Sequence, residues 1–183
     1  MKELDTITIQ RAVRGEKVAF KALYDHYSPF LWRVLVKMAS GDQTLAQELL
    51  QESFVKIHSS LKTFRSLSAF STWAYRITYN IAITTFAKKK RFSSWITFND
   101  SIQGNSKTDK YEDREILLKI LKGISPEDRF LLIAKEVDGL SYDEIADITN
   151  QTAGALRTKL HRLKEELRER SEKILSGGLA HVG

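Results

Sequence analysis

The segment from residue 139 to residue 167 constrains the fold of this chain more than any other. Ser141 can cap the start of a helix, and Glu144, three residues later, completes a capping box. The polar residues 150–152 then interrupt the helix, and Thr152 can cap a second one. That second helix carries a single apolar stripe, formed by Leu156, Leu160, Leu163 and Leu167. The segment therefore predicts two helices joined by a short turn.

Charge is distributed unevenly along the second of these helices. A helix turns by about 100° per residue, which places Thr158, His161 and Arg162 opposite the leucines. Acidic residues begin only after Lys164. A positive first half is typical of a helix that enters the major groove of duplex DNA. The residues expected at base edges or phosphates are Arg157, Thr158, Lys159, His161, Arg162 and Lys164. The alternative is a three-helix domain with a solvated charged face.

The helix before this pair has its own start and stop signals. Ser125 is a good N-cap, Pro126 suits the first helical position, and Gly139 is a natural stop. The residues expected to face its core are Phe130, Ile133, Ala134 and Val137.

Composition favours an all-helical protein. The chain has 183 residues, of which 42% are hydrophobic and only nine are glycine and two proline. There is no cysteine, and the four histidines are far apart, so we expect no metal site and no cofactor. The net charge of +6 favours a polyanionic partner. Without a membrane-length apolar run or a secretory leader, we expect a cytoplasmic protein without a membrane segment.

The first 92 residues predict a helical bundle. One apolar stripe comprises Phe20, Leu23, Tyr24 and Tyr27, followed after Pro29 by Leu31, Val34, Leu35 and Met38. Asp42 can cap the next helix, whose buried residues are expected to be Leu50, Phe54, Ile57 and Leu61. The opposite side of that helix is polar and should face outward, with Gln47, Glu48, Gln51, Glu52 and Lys56.

A long helix after residue 68 is apolar or aromatic on nearly all sides. Its expected inner residues are Phe70, Trp73, Ala74, Ile77 and Ile81. Tyr75, Tyr79 and Phe86 lie on the opposite side, and a basic cluster follows at residues 88–91. Such a helix is either buried on both sides or presents aromatic rings to a ligand. Unpaired bases stack on such rings, and a basic track holds the phosphates of the strand.

Periodicity is lost between residues 93 and 111. The division predicted from this pattern is an amino-terminal domain at 1–92, a polar linker at 93–111, a carboxy-terminal domain at 112–175 and a tail at 176–183.

Three motifs, in this order, resemble those of a known family. Residues 48–56 resemble the region of bacterial sigma factors that docks on the RNA polymerase clamp. Residues 63–65, with 69–77 and Asn80, resemble the segment that melts and recognises the minus-ten promoter element. The segment from Gly139 resembles the domain that recognises the minus-thirty-five element. Order, spacing and length are similar to those of the small two-domain class, the extracytoplasmic-function sigma factors.

The resemblance implies a role for each motif. Core polymerase would dock on Gln47, Glu48, Gln51, Glu52, Phe54 and Lys56. The minus-ten element would be opened and held by Phe64, Arg65, Ser71, Thr72, Trp73, Arg76, Asn80 and Lys88. Such a protein is not an enzyme, binds no small-molecule substrate, and is usually held inactive by an anti-sigma factor. Two alternatives remain: a stand-alone helix-turn-helix regulator, and a helical enzyme that uses carboxylates and histidine.

Overall fold

The structure is a computed structural model that describes residues 3–65, 68–93 and 123–179. Its α-helices, in chain order, are α1 Thr6–Val13, α2 Lys17–Met38, α3 Gln43–Ser60, α4 Phe70–Ser93, α5 Pro126–Leu132, α6 Tyr142–Thr149 and α7 Ala153–Leu179. A 3₁₀ turn, Leu61–Thr63, follows α3, and a π-helical turn, Ile133–Val137, extends α5. These ranges contain no β-strand, which confirms the all-helical prediction. The predicted linker after residue 93 and the start of the predicted carboxy-terminal domain lie outside the described residues.

Helices α1 to α4 form the amino-terminal bundle around α2. Leu23, Tyr27 and Leu31 of α2 have no exposed surface, as the stripe predicted. Asp42 caps α3 by accepting a hydrogen bond from the Leu45 N–H at 2.9 Å. The prediction was wrong for Tyr24, which is 41% exposed. Tyr24 lies one residue, and so about 100° of helix rotation, beyond the buried Leu23.

Helices α5 to α7 form the carboxy-terminal bundle, and each begins with a predicted cap. The Ser125 hydroxyl accepts a hydrogen bond from the Asp128 N–H at 3.0 Å. The capping box is confirmed, because Ser141 accepts from the Glu144 N–H at 3.2 Å and donates its own N–H to the Glu144 carboxylate at 2.8 Å. This donated N–H lowers the pKa of Glu144 below its ordinary value. Thr152 caps α7 through the Ala155 N–H.

The end of α5 departs from the expected α-helical pattern. Ile133 and Ala134 are buried as predicted, but Val137 is 59% exposed, so that part of the prediction was wrong. The reason is the π-helical turn, in which the Asp138 N–H donates to the Ile133 carbonyl, five residues earlier. Each turn then contains more residues than an α-helical turn, and Val137 is rotated away from the core.

The two bundles pack against each other through α4. Tyr75 and Tyr79, on the side of α4 away from its own core, are only 2% and 6% exposed. Both rings contact Phe130 of α5, with ring centroids 5.4 Å and 4.4 Å away. Of the two possibilities open for α4, burial on both sides is correct for these tyrosines. The predicted division into two domains stays a prediction, since the packed core runs across it.

The last helix extends beyond the predicted end of the carboxy-terminal domain. Helix α7 continues to Leu179, four residues beyond the predicted end at 175. None of the helices in the described ranges is long and apolar enough to cross a membrane.

Candidate nucleic-acid and polymerase interfaces

The first half of α7 presents a basic surface, here called the recognition face. On its buried side Leu156, Leu160 and Leu163 are 1%, 2% and 6% exposed. The six residues expected at DNA lie on the other sides of the helix; five are exposed and Lys159 is half-buried. They are Arg157, Thr158, Lys159, His161, Arg162 and Lys164. The structure therefore brings all six together on one half of one helix.

Two lysines of the recognition face are bound to acids of the preceding helix region. Lys159 forms an ion pair with Asp128 of α5, at 2.9 Å. Lys164 pairs with Glu136 of the π-helical turn, at 2.7 Å. These pairs hold α7 against α5 and compete with a phosphate for each ammonium group. Both lysines were expected at DNA, and this competition could not be predicted, because the acids lie 28 to 31 residues earlier in the chain.

Arg157 is oriented by an aromatic ring from α6. Its guanidinium carbon lies 5.1 Å from the centre of the Tyr142 ring, and the Lys135 ammonium lies 4.8 Å from the same centre. The Lys135 ammonium also donates a hydrogen bond to the Leu140 carbonyl at 3.0 Å. A ring that attracts both cations restricts the guanidinium to the start of the recognition face. This contact between Tyr142 and Arg157 could not be predicted from the sequence, because the two residues belong to different helices.

An open groove of about 510 Å³ runs beside the same helix. Its lining includes Asp128, Gly154, Thr158 and Arg162, most of which belong to α7. The groove is therefore part of the recognition face.

The residues expected at the minus-ten element, here called the minus-ten face, begin just before α4 and follow that helix as far as Lys88, 18 residues after Phe70. Trp73 is 8% exposed, and its ring centre lies 5.3 Å from that of Phe64 and 5.4 Å from that of Phe70. Phe64 is half-buried and 5.2 Å from Phe70. These three rings support one another, so Trp73 forms a wall and is not a freely exposed stacking platform.

The polar members of the minus-ten face differ in exposure. Arg65, Arg76, Asn80 and Lys88 are exposed, whereas Ser71 and Thr72 are half-buried. At about 100° per residue, Trp73, Arg76 and Asn80 lie within one third of the circumference of α4. The structure thus groups these three as predicted, with the phenyl ring of Phe64 beside them.

A carboxylate from the start of the chain also lies on the minus-ten face. Glu3 accepts one hydrogen bond from the Ser71 N–H, at 2.9 Å, and another from the Tyr27 hydroxyl, at 3.0 Å. Glu3 therefore accepts from one of the first N–H groups of α4, which have no partner within the helix itself. No local sequence pattern could have indicated this contact, because Glu3 and Ser71 are 68 residues apart.

The predicted polymerase-binding side of α3 is here called the docking face. Its polar residues are all exposed: Gln47, Glu48, Gln51, Glu52 and Lys56. Phe54, which was predicted both as core and as part of this site, is only 6% exposed and packs on Tyr24 with 4.5 Å between ring centres. Val55, which follows Gln51 by one helical turn, is 70% exposed and was missed. Phe54 thus supports the docking face from inside. Val55 adds an exposed apolar side chain to that face.

The chain has no cysteine. The residues that the structure describes contain no group of three or more His, Asp or Glu side chains able to hold a metal ion.

The chain is similar to known proteins over nearly its whole length. Residues 23–97 match the family model for Sigma-70 region 2, and residues 114–167 match that for Sigma-70, region 4. The chain is 26% identical to the ECF RNA polymerase sigma-E factor of Escherichia coli (strain K12), over 93% of this chain and 96% of that protein. It is 30% identical to the RNA polymerase sigma-H factor of Pseudomonas aeruginosa, over 95% of this chain and 97% of that protein.

Two solved structures have a similar fold. One is the sigma factor RpoE in complex with the anti-sigma factor NepR from Bartonella quintana, with a TM-score of 0.69, 21% identity, and coverage of 84% of this chain and 96% of that one. The other is CnrH in complex with the cytosolic domain of CnrY, with a TM-score of 0.66, 18% identity, and coverage of 89% and 94%. Since both Sigma-70 regions are present in order and the identity extends over nearly the whole length, the chain belongs to the extracytoplasmic-function sigma factors of bacterial RNA polymerase.

Proposed function

We propose that this chain binds bacterial core RNA polymerase and directs it to promoters, with the minus-ten face and the recognition face each contacting one promoter element. The observation that carries this proposal is the recognition face itself. Six polar or basic side chains occupy the outward half of a capped helix whose other side is packed in a core. That arrangement lets the first turns of α7 enter a major groove without loss of its own packing.

On the recognition face, Arg157 and Arg162 have different tasks. Arg157 lies near the start of α7 and is oriented by Tyr142, so it is suited to bind a guanine edge. Arg162, more than one turn later and exposed, is suited to a phosphate.

The minus-ten face provides the components needed to hold an unpaired base. Phe64 and Trp73 form an apolar wall, while Arg76 and Asn80 offer exposed hydrogen-bond donors beside it. Extruding a base from the stack costs a few kcal/mol, and contacts of this kind recover about 1–3 kcal/mol for each stacked base. Opening of the promoter would therefore be stabilised after the strands separate.

The docking face would anchor the chain to the polymerase. Glu48 and Glu52 give it two exposed carboxylates beside Lys56, and Val55 adds apolar area. We expect Glu52→Lys to abolish co-elution with core polymerase in gel filtration, because the exchange reverses the charge at the centre of the face. Glu169→Lys, at an exposed position on α7, makes the same change in charge and should co-elute normally. Unchanged co-elution of Glu52→Lys would exclude this face.

The activity itself can be tested by run-off transcription. Core polymerase with the purified chain and genomic fragments should start RNA synthesis at discrete sites, which mapping of the 5′ ends would identify. Core polymerase alone is the control. If the chain adds no start-site selectivity, the proposed function is wrong.

We further propose an anti-sigma partner and a cytoplasmic location. RpoE, which has a similar fold, is bound to the anti-sigma factor NepR, and CnrH is bound to the cytosolic domain of CnrY, which supports the first expectation. Pull-down with the purified chain as bait, followed by transcription with the captured protein added, would test it: a true partner should suppress run-off. A role as a stand-alone regulator is not favoured, because it leaves the match of residues 23–97 to Sigma-70 region 2 without a purpose.

A further inference from the structure

The residue at the start of α4 cannot cap that helix. Ala69 holds the N-cap position, because its carbonyl accepts the N–H of Trp73, four residues later, at 3.1 Å. A methyl side chain accepts no hydrogen bond, so Ala69 leaves the next N–H groups of the helix without a partner from this position. Five other helices begin with a side chain that does accept such a bond, from Asp5, Asp42, Ser125, Ser141 and Thr152.

Glu3 supplies the missing cap of α4 from another part of the chain. Its carboxylate accepts the N–H of Ser71 at 2.9 Å. Ser71 is the second residue of α4, and its N–H is one that an N-cap side chain ordinarily binds. The helix dipole also favours a negative charge at this end of a helix. Glu3 therefore does the work of an N-cap residue, although 68 residues separate it from Ser71.

Two further hydrogen bonds hold Glu3 in this position. Its second carboxylate oxygen accepts from the Tyr27 hydroxyl at 3.0 Å, and that hydroxyl accepts from the Leu4 N–H at 3.1 Å. The Tyr27 ring has no exposed surface, and its centre lies 5.1 Å from that of Phe70. Burial, together with the nearby carboxylate, raises the pKa of Tyr27, so the phenol remains a donor at neutral pH. The cap is thus attached to the core of the amino-terminal bundle.

The turn that Glu3 caps carries a large part of the minus-ten face. Ser71 and Thr72 are half-buried in this turn, and Trp73 packs against Phe64 with 5.3 Å between ring centres. Helix ends fray when their first N–H groups lack partners. Fraying here would move Trp73 relative to Phe64. The position of the aromatic wall therefore depends on whether the first turn of α4 is held.

The charge of Glu3, taken alone, would have the opposite effect on promoter opening. Glu3 is exposed on a face proposed to bind a polyanion, where a carboxylate repels phosphates. If this repulsion dominates, removal of the carboxylate should favour opening. If capping dominates, its removal should weaken opening. The sign of the effect therefore separates the two roles.

We infer that Glu3 is a positioning residue for promoter opening, which caps α4 in place of Ala69 and so holds Trp73 where an unpaired base is captured. Glu3 acts through α4 and does not itself contact a base. The inference rests on the proposed function for its purpose, but the capping can be measured on the free chain.

Hydrogen exchange on the free chain tests the cap. Glu3→Ala should speed up exchange in the first turn of α4 about fivefold, the equivalent of about 1 kcal/mol for a lost cap. Tyr27→Phe removes only the hydroxyl that holds the carboxylate, so it should have a smaller effect in the same direction. Ala69→Ser, added to Glu3→Ala, provides a local cap and should slow the exchange again. Exchange that Glu3→Ala leaves unchanged would overturn the inference.

Promoter opening in the holoenzyme tests the positioning. Glu3→Ala should bind core polymerase and duplex promoter at least as well as the unaltered chain, but open the promoter about fivefold more slowly, because only base capture requires the fixed turn. Competition binding would measure the first property, and a time course of permanganate footprinting the second. Asp5→Asn removes the same charge two residues away and keeps the cap of α1, so it should not slow opening. Faster opening by Glu3→Ala would show that charge repulsion dominates and that the inference is wrong.

A local cap separates positioning from direct contact with the strand. The double variant with Glu3→Ala and Ala69→Ser should recover opening, and Glu3→Gln should recover part of it, since its amide oxygen can still accept from Ser71. If the double variant regains slow exchange but not opening, Glu3 contacts the strand itself and does not act through α4. If the unaltered chain does not transcribe with core polymerase, the proposed function is wrong, whereas the exchange measurement still decides whether Glu3 caps α4.

Discussion

The two faces proposed to bind promoter DNA are constructed in different ways. The recognition face lies on a single helix, and the caps and leucines that position it fall within residues 141–167. The minus-ten face is assembled from three separate parts of the chain, represented by Glu3, Phe64 and Trp73. A surface made by one helix can be altered residue by residue, whereas a surface made by tertiary packing responds to a change as a unit.

Of the substitutions that distinguish the two faces, Trp73→Ala should have the largest effect, a loss of stability. Since Trp73 is almost fully buried beside Phe64 and Phe70, its loss should lower the free energy of unfolding by about 3–5 kcal/mol. Urea denaturation would measure the loss, and permanganate footprinting in the holoenzyme would report promoter opening. Asn80→Ala is the control on the same side of α4: its stability should change by less than about 0.5 kcal/mol while opening still weakens. If Trp73→Ala has normal stability, the Trp73 ring is not part of a packed wall and is instead a freely exposed stacking platform.

A smaller effect, confined to specificity, should follow from Arg157→Ala. Loss of a bidentate contact to guanine costs about 1–3 kcal/mol at one base pair, with stability nearly unchanged because Arg157 is exposed. Competition binding with substituted minus-thirty-five elements would measure it. Arg162→Ala should instead weaken all sequences equally and reduce the salt slope by about one. If Arg157→Ala also weakens all sequences equally, Arg157 contacts only phosphate.

Next in size is the loss of the capping box through Ser141→Ala, which should cost about 1 kcal/mol of stability. The box also introduces a pH dependence. The pKa of Glu144 is lower in the folded chain, so its contribution is present above its unfolded pKa and is lost as pH falls through the folded value. Denaturation between pH 7 and pH 3 should therefore show a steeper loss for the unaltered chain than for Glu144→Gln, which keeps the length of the side chain but cannot ionise. Parallel curves would mean that the box does not couple to protonation.

The smallest expected effect concerns the aromatic support of the recognition face. Tyr142→Leu keeps apolar volume but removes the ring that faces Arg157, and should weaken specific binding by about 0.5–1 kcal/mol. Tyr142→Phe, which keeps a ring, should retain most of the specificity. Binding assays that compare the two variants on one promoter fragment would measure the difference. Identical affinities for Leu and Phe would show that the stacking does not position Arg157.

Helix caps and exposed helix faces could be predicted from the sequence, because they depend on residues close together in the chain. Ser125, Asp42 and Ser141 all cap helices as predicted, because capping involves only the next three residues. The exposure of the docking face and of the recognition face followed in the same way from helical periodicity. The family motifs supplied the roles, which periodicity cannot.

The errors arose where the backbone departs from regular α-helical geometry, or where residues far apart in the sequence contact each other. Val137 was assigned to the core on α-helical periodicity, and a single π-helical turn was enough to expose it. Glu3, Asp128 and Glu136 pair with partners far along the chain, which one sequence cannot indicate. For Tyr75 and Tyr79 the sequence posed the correct pair of alternatives but could not choose, since the covering residue, Phe130, belongs to the other bundle.

The π-helical turn also makes the contact between the two bundles sensitive to the gain or loss of one residue. Its extra residue sets the direction in which Asp138 leaves α5, toward Tyr75. Deletion of one residue there would restore ordinary helical winding and rotate Asp138 by about 100°, without altering a side chain that touches DNA. A lineage could thus alter how its two bundles fit together through a single codon while the side chains of the recognition face stayed the same.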